Sequence, residues 1–168
     1  VWVELWAGAP EAAGTFGLEG FRLHEGLGQQ SFQSAAAAYV ARALYLLDRI
    51  DEAEDWARRA AELGVGGEVE TQMAWRGVRA KVLARRGAFE EAEALAREVV
   101  AIGEETDALN AQGDAHADLA EVLLSAGRTE EAASAFGQAL ERFERKGNFA
   151  STEHLRVRLT QDGITLDD

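Results

Sequence analysis

The sequence has no cysteine, a single proline and almost no strand-like alternation of apolar and polar residues. The lack of cysteine excludes thiol catalysis, cysteine-ligated zinc and a disulfide scaffold, and it is compatible with a reducing compartment. The single proline is Pro10. The sequence is rich in Ala, Glu, Leu and Arg, whose side chains lose little rotamer freedom in a helix. The composition therefore predicts an all-α protein.

Basic charge and long apolar runs are also scarce. The sequence has 17 Lys and Arg residues and 30 Asp and Glu residues, which gives a net charge of −13. Because so acidic a chain repels phosphate groups and anionic lipids, we expect neither nucleic acid nor a membrane surface as a partner. No stretch approaches the roughly 18 apolar residues of a membrane span, and the start VWVELWAGAP lacks a basic signal-peptide segment. We expect a cytoplasmic protein. Because the sequence does not begin with Met, we interpret it as a piece of a longer chain.

Residues that commonly perform catalysis or bind metals show no recognisable spacing. His24, His116 and His154 are far apart in sequence and form no metal-binding motif. The sequence contains no phosphate-binding loop, and its short glycine-rich stretches follow predicted helices where a nucleotide cradle would follow a strand. We expect no metal, no cofactor and no catalytic activity in this chain.

Glycines interrupt the helical pattern in the segments ELGVGG, RRGAF, AIGEETD, SAGRTE and RKGNF. A glycine just after a helix adopts the left-handed conformation that ends it, so each of these breaks predicts a helix end. The predicted helices span residues 10–26, 31–47, 51–63, 68–86, 89–102, 107–125, 129–146 and 149–160, and a remnant at residues 1–6 makes a ninth.

Three similar phrases, IDEAEDWA, AFEEAEALA and RTEEAASAF, begin at residues 50, 88 and 128. Small residues at fixed helical positions let two antiparallel helices approach closely, and a hairpin of this kind buries its apolar face only by stacking on neighbours. The phrases therefore predict a stack of helix hairpins with a period of 39–40 residues. The aligned positions are Ala53, Ala92 and Ala132; Ala41, Ala80 and Ala120; and Leu44, Leu83 and Leu123.

The repeat divides a single domain, residues 1–168, into four parts and a cap. A truncated first repeat covers residues 1–30, and its phrase PEAAGTF places Ala12 and Phe16 in register with the later repeats. Full repeats cover residues 31–64, 68–103 and 107–147, and a helix at 149–160 with a polar face caps the stack.

The pattern A-x-x-L-x-x-x-G followed by EEA-x-x-x-[AF]-x-x-[AV] resembles the tetratricopeptide repeat. The resemblance implies a right-handed superhelical stack of antiparallel hairpins with about 8–9 helices. The period exceeds the family's usual length of about 34 residues, and no proline closes a repeat. More narrowly, WRGVRAKVLARRG and the following repeats are similar to the tail of bacterial adenylate cyclase-like signalling proteins. That resemblance implies a parent protein whose cyclase and NTPase domains lie outside this chain.

In tetratricopeptide-like arrays the first helix of each hairpin lines a concave groove, and the residue after the small position faces that groove. Here those residues are Arg42, Lys81 and Glu121. The predicted groove has one half with basic and aromatic residues and another half with acidic residues. Such a surface is typical of a groove that binds an extended peptide or a partner helix. The alternative is a solvated face whose charges pair across neighbouring repeats. Further residues predicted on this side are Tyr39, Tyr45, Arg85, Asp114 and Asp118.

Arg79 occupies a register that Val40 and Leu119 fill in the adjacent repeats. A buried unpaired cation is costly, so Arg79 must reach solvent, pair with a carboxylate or, together with Arg76, bind an anion. At the start of the chain, Trp2 and Trp6 are one helical turn apart and could drive self-association.

The sequence thus favours a protein-interaction or regulatory module of a cytoplasmic bacterial signalling protein, which binds a peptide or a partner domain along the concave face. One alternative is a sensor of anionic small molecules that regulates a parent cyclase or NTPase. The other alternative is an inert spacer between domains.

Overall fold

A computed structural model describes residues 4–5, 8–64 and 68–166, and that part of the chain is all-α. Every helix predicted between residues 10 and 160 is present, with each end within two residues of its predicted position. Of the remnant predicted at residues 1–6, only residues 4–5 are described, and these are helical. The helices are α1 (Pro10–Gly26), α2 (Gln30–Leu46), α3 (Ile50–Leu63), α4 (Val69–Arg85), α5 (Phe89–Glu104), α6 (Leu109–Ser125), α7 (Thr129–Lys146) and α8 (Phe149–Gln161).

Left-handed glycines close the turns inside two of the hairpins, as the sequence predicts. Gly87 has φ 82° and Gly127 has φ 76°, a region that residues with a Cβ rarely adopt. The backbone N–H after the first of these glycines, that of Ala88, donates to the carbonyl of Leu83 at 3.0 Å and satisfies the end of α4.

At two of the predicted glycine breaks the helix ends within two residues of the predicted position, but the described glycine is not left-handed. Gly64 has φ −92° and lies outside the left-handed region. Gly103 lies within α5, which continues to Glu104. A Cβ at Gly103 would lie 2.8 Å from Cε of Met73, so this glycine is explained by the close approach of α4 and not by a turn.

The hairpins α2/α3, α4/α5 and α6/α7 stack so that α4 packs against both α2 and α6. These first helices form one layer, and the second helices of the hairpins cover one side of it. The aligned small residues lie at the helix contacts as predicted, because none of their side chains has measurable exposure. They are Ala41, Ala80 and Ala120 in the first helices and Ala53, Ala92 and Ala132 in the second helices.

The register predicted for the truncated first repeat is wrong by one residue. Ala13 and Gly17 are buried in α1, whereas Ala12 is half-buried and Phe16 is 50% exposed. Gly17 takes the small position because α2 passes close to it, and a Cβ there would lie 2.7 Å from Val40 Cγ2. The phrase PEAAGTF fits the repeat in either of two frames, and the packing against α2 selects the second.

Asn148 caps the start of the last helix, α8, because its side-chain oxygen accepts a hydrogen bond from the backbone N–H of Ser151 at 3.2 Å. Leu155 and Leu159 are buried in the same apolar cluster as residues of α6 and α7, and Ile164 after the helix joins them. The apolar side of α8 therefore packs on the end of the stack formed by α6 and α7.

Candidate functional site

The first helices converge with α8 on a cavity of about 130 Å³. We call the surface around it the inner surface, defined by Arg42 on α2, Lys81 on α4 and Glu121 on α6. Leu46, which is half exposed, and the exposed His154 mark the side on which the cavity opens to solvent. The lining residues are Leu5, Arg42, Leu46, Lys81, Asp114, Ala117, Asp118, Glu121, Phe143, Ser151, His154, Leu155 and Arg158.

Asp118 of α6 is the centre of a buried ion-pair network. Its Oδ2 accepts a hydrogen bond from Nη2 of Arg42 at 2.6 Å, and its Oδ1 lies 2.8 Å from Nζ of Lys81. The three residues are only 6%, 9% and 3% exposed, respectively. Buried charges require partners of this kind, because removal from water costs several kcal/mol for each ion, as an order of magnitude. The network joins one helix from each of the three full hairpins.

Gly77 leaves room for this network. A Cβ at residue 77 of α4 would overlap Oδ2 of Asp118, the oxygen that binds Arg42. The side chain of Arg42 thus reaches from α2 to α6 across α4, at the place where α4 has no side chain.

Asp114, one helical turn before Asp118, is less completely satisfied. Its Oδ2 lies 3.0 Å from Nη1 of Arg42, yet this buried oxygen has no hydrogen bond of good geometry. Burial raises the pKa of Asp114 above its usual range, and the neighbouring Asp118 carboxylate adds to the shift, although Arg42 opposes it.

A second chain of contacts connects α2, α6 and α8. The Tyr45 hydroxyl donates a hydrogen bond to Glu121, and Nη1 of Arg158 donates to the other Glu121 oxygen at 3.0 Å. Lys81 Nζ lies 4.4 Å from the centre of the Tyr45 ring. Burial alone would raise the pKa of Glu121, but the charges of Lys81 and Arg158 and these hydrogen bonds lower it to about 2. Burial and the adjacent Glu121 carboxylate raise the pKa of Tyr45.

The remaining residues predicted for the groove lie beside this network. Arg85, at the end of α4, is exposed and its Nη2 donates to Oδ1 of Asp48 at 2.5 Å. Tyr39 is half-buried on α2. The structure therefore brings six of the eight predicted residues into one cluster, namely Arg42, Tyr45, Lys81, Asp114, Asp118 and Glu121, and their charges pair across the repeats.

Sequence reasoning missed the contribution of α8. His154 and Arg158 line the cavity, and they stand 40 residues after Asp114 and Asp118. Extending the period of the repeat into the last helix would have found both. The role of Gly77 was also missed. A glycine in the middle of a helix indicates that another group packs closely there, but the sequence does not identify that group.

Arg79 and Arg76 both have acidic partners on the second helices. Nε of Arg79 lies 3.3 Å from Oε1 of Glu54, and its side chain is 38% exposed, so it both pairs and reaches solvent. Nε of Arg76 lies 3.4 Å from Oε1 of Glu98. Both guanidinium groups lie over the ring of Trp75, at 4.2 Å for Arg76 and 6.0 Å for Arg79. The anion site predicted at these residues remains a prediction.

No trio of His and acidic residues within residues 4–5, 8–64 and 68–166 is arranged to hold a metal ion. None of the helices in the same ranges has the length and apolarity to cross a membrane. The predicted self-association through Trp2 and Trp6 concerns residues outside those that the structure describes.

Residues 70–145, which comprise nearly all of α4, α5, α6 and α7, match the family model of the tetratricopeptide repeat. That stretch is similar to the tetratricopeptide repeat, and the described chain as a whole is an all-α stack of helix hairpins. No curated protein matches it. Tetratricopeptide repeats generally mediate protein–protein interactions. Residues from the first helix of each of the three full hairpins line the cavity.

Proposed function

We propose that this array is a protein-interaction module that receives a peptide or a partner domain on its inner surface. The observation that carries the proposal is the cavity at which α2, α4, α6 and α8 converge, with Leu46 and His154 accessible beside it. An apolar wall next to a few fixed polar groups is the usual composition of a binding site.

The ion pairs beneath this cavity support the proposal in a second way. Arg42, Lys81 and Asp118 hold three first helices together, so the walls of the cavity are rigid before a partner arrives. A preorganised surface loses less conformational entropy on binding. In this proposal the buried charges position the wall, and the accessible side chains touch the partner.

A photocrosslinking experiment tests the proposal. Benzoylphenylalanine replaces Leu46 at the cavity in one variant and Phe89 at the start of α5 in a matched control, since both native side chains are partly exposed. After irradiation in lysate of the source organism, we expect a protein to be crosslinked through residue 46 and not through residue 89. Identical products at the two positions, or no product at residue 46, would contradict binding at the inner surface.

The finer assignments extend this proposal. A regulatory role beside cyclase and NTPase domains of a bacterial, cytoplasmic signalling protein is supported by the resemblance of the repeat sequences. The two alternative functions, an anion sensor at Arg76 and Arg79 and an inert spacer, remain predictions. The carboxylate partners of both arginines weaken the support for the sensor.

A further inference from the structure

One face of helix α1 is open, although the second helices of the three full hairpins have the corresponding face covered. Gly20 lies on this face, and the residue at its register in each full hairpin is buried. Those residues are Ala60, Val99 and Ala139, which are 0%, 2% and 0% exposed. Leu23, by contrast, is 61% exposed beside Gly20. We call the surface formed by Gly20, Leu23 and His24 the open face of α1.

The first half of a first helix covers this register in the full hairpins. In the first of them, the Ser34 hydroxyl donates a hydrogen bond to the carbonyl of Ala60 at 2.7 Å. In the second, Met73 and Val99 belong to one buried apolar cluster. Ser34 and Met73 are each the fifth residue of their helices, α2 and α4. The cover over this face is therefore an antiparallel helix with a small or apolar residue at that position.

The turn before α1 is built like the turns inside the full hairpins. Gly8 is left-handed with φ 69°, as Gly87 is with φ 82°. The backbone N–H of Ala9 donates to the carbonyl of Glu4 at 2.8 Å, which repeats the bond that ends α4. The helical residues 4–5 therefore occupy the place where a first helix ends, and α1 is the second helix of a hairpin.

Within the described residues, the end of this first helix covers only the start of α1. Leu5 is buried together with Ala13 and Ala43. Farther along α1, a Cβ at Gly20 would meet no neighbouring heavy atom within 4 Å. Glycine in the middle of a helix is destabilising relative to alanine, and no packing contact in the described residues requires it at this position. A helix that passes close to Gly20 would explain it.

We infer that the open face binds an amphipathic helix of the longer chain, which runs antiparallel to α1 and leads to residues 4–5. The position of residues 4–5 favours this occupant over a helix from another molecule, because the last turn of the covering helix is already in place. A small or apolar residue of this helix lies on Gly20, as Ser34 lies on Ala60. The inference concerns a different surface from the cavity and does not rest on the proposed function.

A designed extension tests whether such a helix fits. A copy of residues 29–40 is joined to Val1, which continues the period of the repeat and places the copied Ser34 at the open face. We expect amide hydrogen exchange in residues 20–26 to become at least about tenfold slower in the extended protein.

Two variants at Gly20 provide matched controls for the extension. Gly20→Gln should remove the protection, because the longer side chain fills the space that the helix needs. Gly20→Ala should keep the protection, because Ala60 and Ala139 are covered at the same register. Neither substitution meets a neighbour in the protein without the extension.

A disulfide locates the added helix independently. The sequence has no cysteine, so an engineered pair is unambiguous. In the first full hairpin a Cβ at Gly64 would lie 2.6 Å from Oγ of Ser34, and Gly64 has the register of His24. Cysteine in place of the copied Ser34 should therefore form an intramolecular disulfide with His24→Cys. It should form none with Arg22→Cys, which is exposed on the opposite side of α1.

The same exchange measurement on the longer protein tests its natural segment. Residues 20–26 should exchange at least about tenfold more slowly there than in this chain. Equal exchange in the two proteins, equal protection in the Gly20→Gln variant, or a disulfide that joins two molecules would each overturn the inference. The last result would assign the open face to a second copy of the chain. None of these results changes the expectation for crosslinking at residue 46.

Discussion

Gly77 on α4 and Asp118 on α6 face each other so closely that a Cβ on Gly77 would overlap a carboxylate oxygen of Asp118. That oxygen accepts the hydrogen bond from Arg42 on α2. The absence of a side chain at Gly77 in the second full repeat thus permits a buried ion pair between the first and third full repeats. Arg42 and Asp118 both line the cavity, so this contact forms part of its wall.

Gly77→Ala should destabilise the protein. In a helix that has free space, replacement of Gly by Ala stabilises by about 0.5–1 kcal/mol. At residue 77 the added methyl group displaces Asp118, and overpacking of this kind costs about 1–3 kcal/mol. Gly137→Ala in α7 is a matched control, because a Cβ there would meet nothing within 4 Å. Urea unfolding should give changes of opposite sign for the two variants, and equal changes would show that Gly77 is not required for packing.

Asp118→Asn should be more damaging than the loss of any exposed charge. The substitution leaves Arg42 and Lys81 buried with a weakened partner, and breaking a buried ion pair costs about 3–5 kcal/mol. Arg58→Gln, which removes a cation from an exposed pair with Asp55, should leave the urea midpoint almost unchanged. A similar midpoint for both variants would contradict a structural role of the network.

The helices and the repeat register of the full hairpins could be predicted from the sequence. Turn glycines such as Gly87 act through local backbone geometry, and small residues such as Ala80 act through packing between neighbouring helices. Both kinds of residue therefore recur in the sequence with the period of the repeat. The predicted register of the truncated repeat differs from the observed one by one residue. The prediction aligns Phe16 with the aromatic Phe136 of the third full repeat, whereas Gly17 is the residue that packs against α2.

The pairing inside the candidate site could be predicted only in part. The sequence placed Arg42 and Asp118 on the same side of the array, but they are separated by 76 positions. Whether residues two repeats apart touch depends on the curvature of the stack, which results from many packing contacts and has no local signature. The contribution of His154 from α8 followed the period of the repeat and could have been found.

Asp48 provides a test of backbone strain in the first hairpin. It adopts φ 59°, at the position that left-handed glycines occupy in the next two repeats. For a residue with a Cβ this conformation costs roughly 1–2 kcal/mol. Asp48→Gly should therefore be more stable than Asp48→Ala by about that amount, measured by urea unfolding. Both substitutions remove the contact with Arg85, so that loss cancels in the comparison. Equal stability of the two variants would show that the turn relaxes without strain.

Glu121 should stabilise the fold in a manner that depends on pH. Its pKa is lowered from 4.5 to about 2, so its contribution is fully present above the unfolded value and is lost as the pH falls toward 2. The measurement is the difference in unfolding free energy between the unchanged protein and Glu121→Gln, taken at intervals from pH 7 to pH 2. We expect this difference to shrink as the pH falls below about 4.5. A difference that is constant with pH would contradict the stabilising charge of Glu121.

Asp114 should show the opposite dependence, because its pKa is raised above 3.8 by burial. A group of this kind contributes stability below its unfolded pKa, and the contribution is lost as the pH rises through the folded value. Relative to the unchanged protein, Asp114→Asn should therefore gain stability between acidic and neutral pH. Urea unfolding of the two proteins at intervals between acidic and neutral pH measures this difference. A difference that does not change with pH would contradict the raised pKa of Asp114.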